Sequence, residues 1–298
     1  MIDIHTHLAY YKLYPERFLG GTFSSVENQV ISSRKFVSIV KLFFKDQKGI
    51  QLIKQMDEAE IEKSILLIVD NYNALGKTGI SIEDNYILHR EILKNNPERF
   101  IVFAGFHPGR GEYGMKLLKT GIESYGFAGV KLYPPFGFRM DDSRLASCYE
   151  YCSTKHLPVL IHTGYSFDGL QNSYAEPDAL INICDKYEDI KFIMAHAGYK
   201  LSNPTISELL LKKNVYADIS GFQSVLDQDD TKSDIDLIFQ EPYNSKLLFG
   251  SDWPIKNIIK PLSHQINVLK KLYENCENKA ENAFENLMKQ NAKKLLNI

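Results

Sequence analysis

Eight short runs of mostly aliphatic residues recur along the chain, and segments with helical periodicity separate them. Each run is nearly continuous rather than alternating, which is typical of strands that are buried on both faces of a parallel sheet. The predicted strands are residues 1–5, 64–69, 100–105, 128–133, 158–162, 191–196, 215–220 and 246–251. Eight strands that alternate with helices predict an α/β fold, a (β/α)8 TIM barrel with an extended loop insertion after the first strand.

The segments between the strands carry apolar stripes at helical spacing. After the fourth strand, for example, Leu145, Cys148 and Cys152 lie on one helical face. Ser81 is predicted to cap the helix that precedes the third strand, and residues 278–298 are predicted to form a C-terminal helix. An open, doubly wound sheet is the alternative fold, but no glycine-rich dinucleotide turn follows the first strand.

An unusually long segment, residues 8–50, separates the first strand from its helix. It is far longer than an ordinary βα loop, and it carries several aromatic residues, among them Tyr10, Tyr14 and Phe18. On a barrel this insertion would lie at the C-terminal face, so we expect either a substrate lid or an oligomer contact. No internal repeat, low-complexity tract or linker divides the chain, so residues 1–298 are expected to form one domain.

The composition is that of a soluble globular protein. Of 298 residues, 44% are hydrophobic and 24% are charged, which allows a large core and excludes a disordered chain. The chain has 35 Lys and Arg against 37 Asp and Glu, so it lacks the basic character of a nucleic-acid or membrane-surface protein. No apolar run approaches a transmembrane length and no signal peptide opens the sequence, so a cytoplasmic location is expected. The four cysteines are expected to be reduced thiols packed in the core.

Histidines and one aspartate stand at the ends of several predicted strands. His5 and His7 close the first strand, where residues i and i+2 point to the same side, so both imidazoles can share one ion. His162 ends the fifth strand, His196 ends the sixth, and Asp252 follows the eighth. These strand ends meet at one face of a barrel, and imidazoles with a carboxylate suit Zn²⁺ or a similar divalent transition metal. Not all of these groups are needed for the ion, and a remaining one could move protons.

This set of residues resembles the amidohydrolase superfamily, and more narrowly the amidohydrolase-related group that includes aminocarboxymuconate-semialdehyde decarboxylase and related hydrolases. The resemblance spans the whole chain and is carried first by His5-Thr6-His7, His162, His196 and Gly250-Ser251-Asp252-Trp253-Pro254. Further similar segments are Gly129-Val130-Lys131-Leu132, Ala217-Asp218-Ile219-Ser220 and Asn291-Ala292-Lys293-Lys294-Leu295-Leu296. In this order on eight strands, the motifs point to a metal-dependent barrel enzyme.

The resemblance implies a mononuclear metal held by His5, His7, His162 and Asp252. Zn²⁺ is the expected ion, with Mn²⁺ or another transition metal as the alternative. The resemblance also implies that His196 lies beside the metal and polarises the substrate or moves a proton. Asp252 could contact the metal and also accept a proton, because both roles need an ionised carboxylate close to the ion. His196 and Asp252 are therefore the expected catalytic residues.

Lys131, on the fourth strand, has several possible roles. In binuclear members of the superfamily a carbamylated lysine on this strand bridges two metals, whereas the group that the chain most resembles is usually mononuclear. A lysine inside a barrel must otherwise be paired with an opposite charge or have a perturbed pKa. It would then form an ion pair with a carboxylate or contact the substrate.

Further candidate substrate contacts follow the strands at the same face of the barrel. They are His107, Arg110, Arg139, Tyr165 and Trp253. Either arginine could bind a substrate carboxylate through two hydrogen bonds. Asp218 could orient a ligating or catalytic histidine, as carboxylates behind metal ligands do.

The preferred hypothesis is a metal-dependent hydrolase that cleaves a C–N or C–O bond of a small organic substrate, such as an amide, lactone or cyclic ester, with activated water. The alternative on the same site is a non-oxidative decarboxylase, which must hold a carboxylate. A TatD-like nuclease is a third hypothesis, but those enzymes have a Glu on the fourth strand where this chain has Lys131. A barrel that serves only for binding is a fourth hypothesis, and the intact ligand candidates at four strand ends argue against it. The expected partner is a small-molecule substrate, with no nucleic acid and no membrane, and the resemblance implies a possible homodimer.

Overall fold

The strands form one parallel sheet in which each strand pairs with its neighbours in sequence order. The computed structural model describes residues 1–26, 34–222, 232–257 and 260–298. Its strands are β1 (Ile2–Thr6), β2 (Lys63–Leu67), β3 (Phe100–Gly105), β4 (Gly129–Leu132), β5 (Val159–His162), β6 (Phe192–Ala195), β7 (Val215–Asp218) and β8 (Leu247–Leu248). All successive pairs are parallel, as crossover connections require. The fold is a (β/α)8 TIM barrel, as the alternating pattern predicts.

Helices occupy the connections and the segment after the last strand. They are α1 (Glu16–Val26), α2 (Arg34–Phe43), α3 (Ile50–Glu58), α4 (Ile82–Asn95), α5 (Gly111–Glu123), α6 (Ala146–Lys155), α7 (Leu180–Lys186), α8 (Pro204–Leu211), α9 (Lys232–Phe239), α10 (Leu262–Asn275), α11 (Ala283–Glu285) and α12 (Asn291–Leu296). A π-helical turn, Asn286–Gln290, joins α11 to α12. α1 and α2 lie in the insertion after β1, and residues 27–33 of that insertion lie outside the described residues.

Backbone hydrogen bonds between β1 and the segment around β8 close the barrel. These seam bonds run from the Ile4 amide to the Phe249 carbonyl (3.0 Å), from the Asp252 amide to the His5 carbonyl (2.8 Å) and from the His7 amide to the Trp253 carbonyl (2.7 Å). One of them joins two residues that are expected to bind a metal, Asp252 and His5, and another starts at a third, His7. The closure of the barrel therefore also sets the spacing of those side chains.

Apolar side chains pack on both sides of the strands. An inner cluster, which includes Phe103, fills the barrel, and a larger outer cluster lies between strands and helices. Val130 and Leu132 belong to the outer cluster, so the alternation along β4 places Lys131 on the inner side. Gly129, also on the inner side, leaves room for the Phe103 ring, because a Cβ atom there would lie 2.7 Å from that ring. The interior is therefore apolar at its base, with Lys131 above the Phe103 ring.

The last strand differs most from its prediction. β8 covers only Leu247–Leu248, although the sequence predicts a strand over residues 246–251. Beyond it the chain turns, and Asp252 adopts a left-handed conformation with φ of 56°. The apolar run continues through this turn because Phe249 packs in the outer cluster without being part of a strand.

The predicted helical signals have mixed outcomes. The Ser81 hydroxyl accepts a hydrogen bond from the Asp84 amide at 3.0 Å, which confirms the predicted cap of α4. At the end of the chain, helical structure begins at Ala283 rather than at residue 278, because Asn278 and Asn282 adopt left-handed φ values. All four cysteines are free thiols and buried, as expected.

Among the described residues, no helix combines the length and the apolar character that crossing a membrane would require.

Candidate metal centre

His5 lies in β1 and His7 directly follows that strand, and the proton on each ring has a fixed position. The Nδ1 atom of His5 lies 2.9 Å from Oδ2 of Asp218, and Nδ1 of His7 lies 3.0 Å from the Leu67 carbonyl oxygen. Both oxygens are acceptors, so each Nδ1 must carry the proton and donate it. Each Nε2 atom therefore presents a lone pair.

Asp252 faces both of these lone pairs. Its Oδ1 atom lies 3.6 Å from Nε2 of His5 and 3.6 Å from Nε2 of His7. All three residues are buried. Because neither Nε2 carries a proton, three electron-rich atoms converge here with no hydrogen between them. Such an arrangement is unfavourable inside a protein unless a cation lies between the atoms.

His162, which ends β5, and His196, which follows β6, form a second pair. The Nδ1 atom of His196 donates to the Ser220 carbonyl at 3.0 Å, so its Nε2 is an acceptor. The Nδ1 atom of His162 lies 3.2 Å from that Nε2 and donates to it. The lone pair of His162 is then on Nε2, which is buried and has no hydrogen-bond partner among the described residues. An unpartnered buried acceptor of this kind fits a metal ligand.

Asp218, at the end of β7, connects the two histidine pairs. Its Oδ2 accepts the proton of His5, and its Oδ1 accepts the backbone amides of His196 at 3.0 Å and Ser220 at 2.9 Å. The Ser220 hydroxyl also donates to Oδ1. Asp218 therefore orients His5 and His196 together. Sequence reasoning assigned no role to Ser220, although its position two residues after Asp218 puts it on the same side of the chain.

Burial keeps all four imidazoles neutral. Desolvation lowers the pKa of His7 to about 3, and it lowers the pKa values of His5, His162 and His196 well below the usual 6.5. The positive charge of Lys131 lowers each of these pKa values further. The neutral imidazole is the form that binds a metal ion.

Among the described residues, two groups of side chains have ligand atoms close enough to share a metal. They are His5 with His7 and Asp252, and His5 with His196 and Asp218, each group lying within 4.8 Å. In the second group, hydrogen bonds from the His5 ring and from the His196 backbone already satisfy the Asp218 carboxylate. In the first group no proton lies between the atoms, so it is the better candidate. The structure thus brings three of the four expected ligands together, and it places the fourth, His162, against His196.

Lys131 faces the same cluster from β4. Its side chain is 1% exposed, and its Nζ has no hydrogen-bond partner among the described residues. The Nζ atom lies 6.0 Å from the centre of the Tyr133 ring, which stacks on His162 with ring centres 4.4 Å apart. Burial lowers the pKa of Lys131 from 10.5 to about 8, against the charges of Asp218 and Asp252, which raise it. The ion pair considered for this lysine is therefore not formed within the described part of the chain.

Arg110 and His107, two of the expected substrate contacts, stabilise the loop after β3. Arg110 donates to both oxygens of Asp70, at 2.6 and 2.8 Å. His107 accepts the Gly109 amide at Nδ1, at 3.0 Å, and its Nε2 lies 3.4 Å from the Phe136 carbonyl. Sequence reasoning missed Asp70, although it follows the second apolar run as the other polar residues follow theirs. Both expected contacts thus already have hydrogen-bond partners within the protein.

Arg139 and Tyr165 lie at the protein surface rather than with the histidines. Arg139 donates to Asp141 at 3.0 Å and is 40% exposed. The Tyr165 hydroxyl donates to Asp168 at 2.7 Å, and the residue is 53% exposed. Trp253 differs, because it directly follows the proposed ligand Asp252 and is 8% exposed. Only Trp253 among these three adjoins the histidine cluster.

An aromatic cap, defined here as Phe18, Tyr133, Phe136 and Phe167, covers the cluster from the side of β4 and β5. The Phe18 ring, on α1 of the insertion, lies edge-on to the other three rings, with centres 5.6 to 6.2 Å apart. Sequence reasoning missed Phe136 and Phe167. In the sequence they stand out merely as aromatic residues in the loops after β4 and β5. The insertion therefore packs directly on a residue, Tyr133, that stacks on His162.

Comparisons with known proteins identify solved structures with a similar fold. A search of curated protein sequences gave no match. Among solved structures, the chain is similar to an uncharacterised TIM-barrel protein from Bordetella bronchiseptica (TM-score 0.73, 16% identity, covering 100% of this chain and 98% of that one). It is also similar to a dihydroxybenzoic acid decarboxylase from a Polaromonas species, with bound manganese and the inhibitor 2-nitroresorcinol (TM-score 0.69, 19% identity, covering 99% of this chain and 96% of that one). A third similar structure is a probable 2-pyrone-4,6-dicarboxylic acid hydrolase from Acinetobacter baumannii, with citric acid bound (TM-score 0.63, 15% identity, covering 100% of this chain and 99% of that one).

At these identities, the structural similarities establish a shared fold over nearly the whole chain. The sequence itself identifies the family. The amidohydrolase family model matches residues 74–298, which is most of the chain and includes His162, His196 and Asp252. The chain therefore belongs to the amidohydrolase family.

Proposed function

We propose that the protein is a metal-dependent hydrolase that cleaves a C–N or C–O bond of a small organic substrate, such as an amide, a lactone or a cyclic ester. The observation that carries the proposal is the convergence of the His5 and His7 lone pairs on the Asp252 carboxylate. These residues would hold the ion, and His162 would add a ligand through its unpartnered Nε2. Zn²⁺ and Mn²⁺ both accept imidazole and carboxylate donors.

The protein's own residues have separate tasks in this proposal. A bound divalent metal would polarise a carbonyl oxygen and lower the pKa of water towards about 7. Asp252 accepts a proton at its carboxylate, which faces the proposed ion position. The Ser220 carbonyl holds the Nδ1 proton of His196, so His196 would exchange a proton at Nε2, and it would first have to release the hydrogen bond from Nδ1 of His162. Asp218 keeps both His5 and His196 in these orientations.

The insertion after β1 is the proposed substrate lid. Phe18 on α1 packs against Tyr133, Phe136 and Phe167, so the insertion covers the barrel mouth beside His162. A cover of this kind excludes water and strengthens the electrostatic interactions inside the site.

Decarboxylation is the second candidate, and one observation favours it. A decarboxylase must hold the carboxylate that it removes, and Lys131 offers a buried ammonium group with no hydrogen-bond partner in the described residues. The similar structure from the Polaromonas species is a decarboxylase. In this reaction a proton must be delivered to carbon, and Asp252 or His196 would deliver it.

The first test is the metal content of the purified protein. We expect about one equivalent of Zn²⁺ or Mn²⁺ in the wild type and its loss in His5→Ala. His196→Asn is the matched variant, and it should keep the metal while losing turnover of amides, lactones or carboxylated aromatics. Release of CO₂ from a carboxylated aromatic would select decarboxylation.

Two results would contradict the proposal. A wild-type protein that binds no metal even in excess ions would remove its basis. If His196→Asn lost metal as completely as His5→Ala, the division between ligands and proton carriers would be wrong.

A further inference from the structure

The side chain of Lys131 ends inside the barrel, next to the histidine cluster. Its side chain is 1% exposed, and its Nζ has no hydrogen-bond partner among the described residues. An ammonium group in such a position is strongly unfavourable unless an anion pairs with it. Neither nearby carboxylate forms an ion pair with this ammonium group. Asp218 accepts hydrogen bonds from His5, His196 and Ser220, and Asp252 faces the Nε2 atoms of His5 and His7. The position therefore suits an anion that comes from outside the chain.

We propose that Lys131 binds an anionic oxygen of the substrate, so that the substrate is a small molecule with an anionic group such as a carboxylate. This inference rests on the proposed metal-dependent function, and it specifies the substrate class of that site. It applies to hydrolysis and to decarboxylation alike, because in either reaction the ammonium holds a charged group while the bond beside it breaks.

The hydrogen bonds of His196 argue against the alternative in which a carbamylated Lys131 bridges two metals. A second ion would need ligands beside the first one. Both ring nitrogens of His196 are already engaged, with the Ser220 carbonyl and with Nδ1 of His162. The lysine is therefore left to contact the substrate itself.

The surroundings of Lys131 also favour a flat substrate. Its Nζ lies 6.0 Å from the centre of the Tyr133 ring, which belongs to the aromatic cap. Aromatic side chains pack well against planar groups. Benzoate and its neutral counterpart benzamide are therefore suitable probes, because they differ in charge and hardly in shape.

The experiment measures the binding of both probes to the metal-loaded protein. Trp253 is the single tryptophan of the chain and adjoins the site, so its fluorescence reports binding. The variants are Lys131→Met, which removes the charge at similar length, and Lys54→Met, whose side chain is 76% exposed on α3, as the control. Metal content is measured for every sample.

We expect Lys131→Met to keep one equivalent of metal, to bind benzoate about 10- to 100-fold more weakly, and to bind benzamide as the wild type does. Lys54→Met should match the wild type throughout. Unchanged benzoate affinity in Lys131→Met, or no benzoate binding to the loaded wild type, would overturn the inference alone. Two equivalents of metal, with one lost in Lys131→Met, would favour the carbamate. A wild type without metal would instead refute the proposed function.

Discussion

The same buried ammonium group should make the protein less stable than it could be. Burial lowers the pKa of Lys131 from 10.5 to about 8, although Asp218 and Asp252 act in the opposite direction. Each pKa unit corresponds to about 1.4 kcal/mol, so holding the proton on Lys131 costs the metal-free fold about 3 kcal/mol at neutral pH. Methionine has a similar length and no charge. Lys131→Met should therefore raise the free energy of unfolding at pH 7 by about 3 kcal/mol.

The dependence on pH distinguishes this effect from ordinary packing. The folded-state pKa of Lys131 is below its unfolded value, so the protonated form is disfavoured by folding. The cost is fully present below pH 8, and it decreases as the pH rises from 8 towards 10.5 because the folded protein releases the proton first. The advantage of methionine should shrink by about 2 kcal/mol between pH 7 and about pH 9.5.

Urea unfolding in the presence of a chelator, at both pH values, measures this difference. Lys54→Met on α3 is the control, and its free energy of unfolding should stay within about 0.5 kcal/mol of the wild type. A Lys131→Met protein that is less stable than the wild type at pH 7 would refute the reasoning. An advantage that is the same at both pH values would do so as well, because it would come from packing and not from charge.

Other features of the structure give further expectations. Ser81→Ala should lower the free energy of unfolding by about 1 kcal/mol through loss of the α4 cap, whereas Ser81→Asp should keep it; equal stability of the two would contradict the cap. In Gly250→Ala the new Cβ would lie 2.8 Å from the His5 Cβ and would displace this expected ligand, so we expect weaker metal binding in a titration. Unchanged metal affinity would contradict this expectation, because it would show that β1 can shift freely. Asp70→Asn should cost about 1 to 3 kcal/mol in chemical unfolding, because Arg110 keeps a partner but loses its counter-charge. The melting temperature should not change in reductant, because every cysteine is a buried free thiol, and a large drop would indicate a disulfide.

The barrel could be predicted because its strands are buried on both faces and leave continuous apolar runs in the sequence. The end of β8 was predicted incorrectly for the same reason, since the apolar pattern does not distinguish a strand from the buried turn that follows it. Phe249 is as buried as a strand residue, yet β8 ends at Leu248. After β8 the chain turns at Asp252, whose backbone is left-handed, and the apolar pattern does not specify that conformation.

The candidate ligands could be predicted from their places at strand ends, but their proton positions could not. The Leu67 and Ser220 carbonyls fix the tautomers of His7 and His196, and a backbone carbonyl has no sequence signal. The partner of Arg110 was also beyond prediction, because Asp70 lies on a different loop. Such contacts depend on which loops become neighbours once the barrel has closed.

The seam of the barrel also determines when the site can exist. His5 belongs to the first strand to be synthesised and Asp252 to the last region of the barrel, and the two meet through the bond between the Asp252 amide and the His5 carbonyl. A growing chain can therefore not assemble the ligand set until β8 has docked, and contacts between such distant residues form late in folding. An ion bound across the seam should consequently slow unfolding while leaving the folding rate nearly unchanged. Metal loading would then extend the lifetime of the native state more than it assists the chain in reaching it.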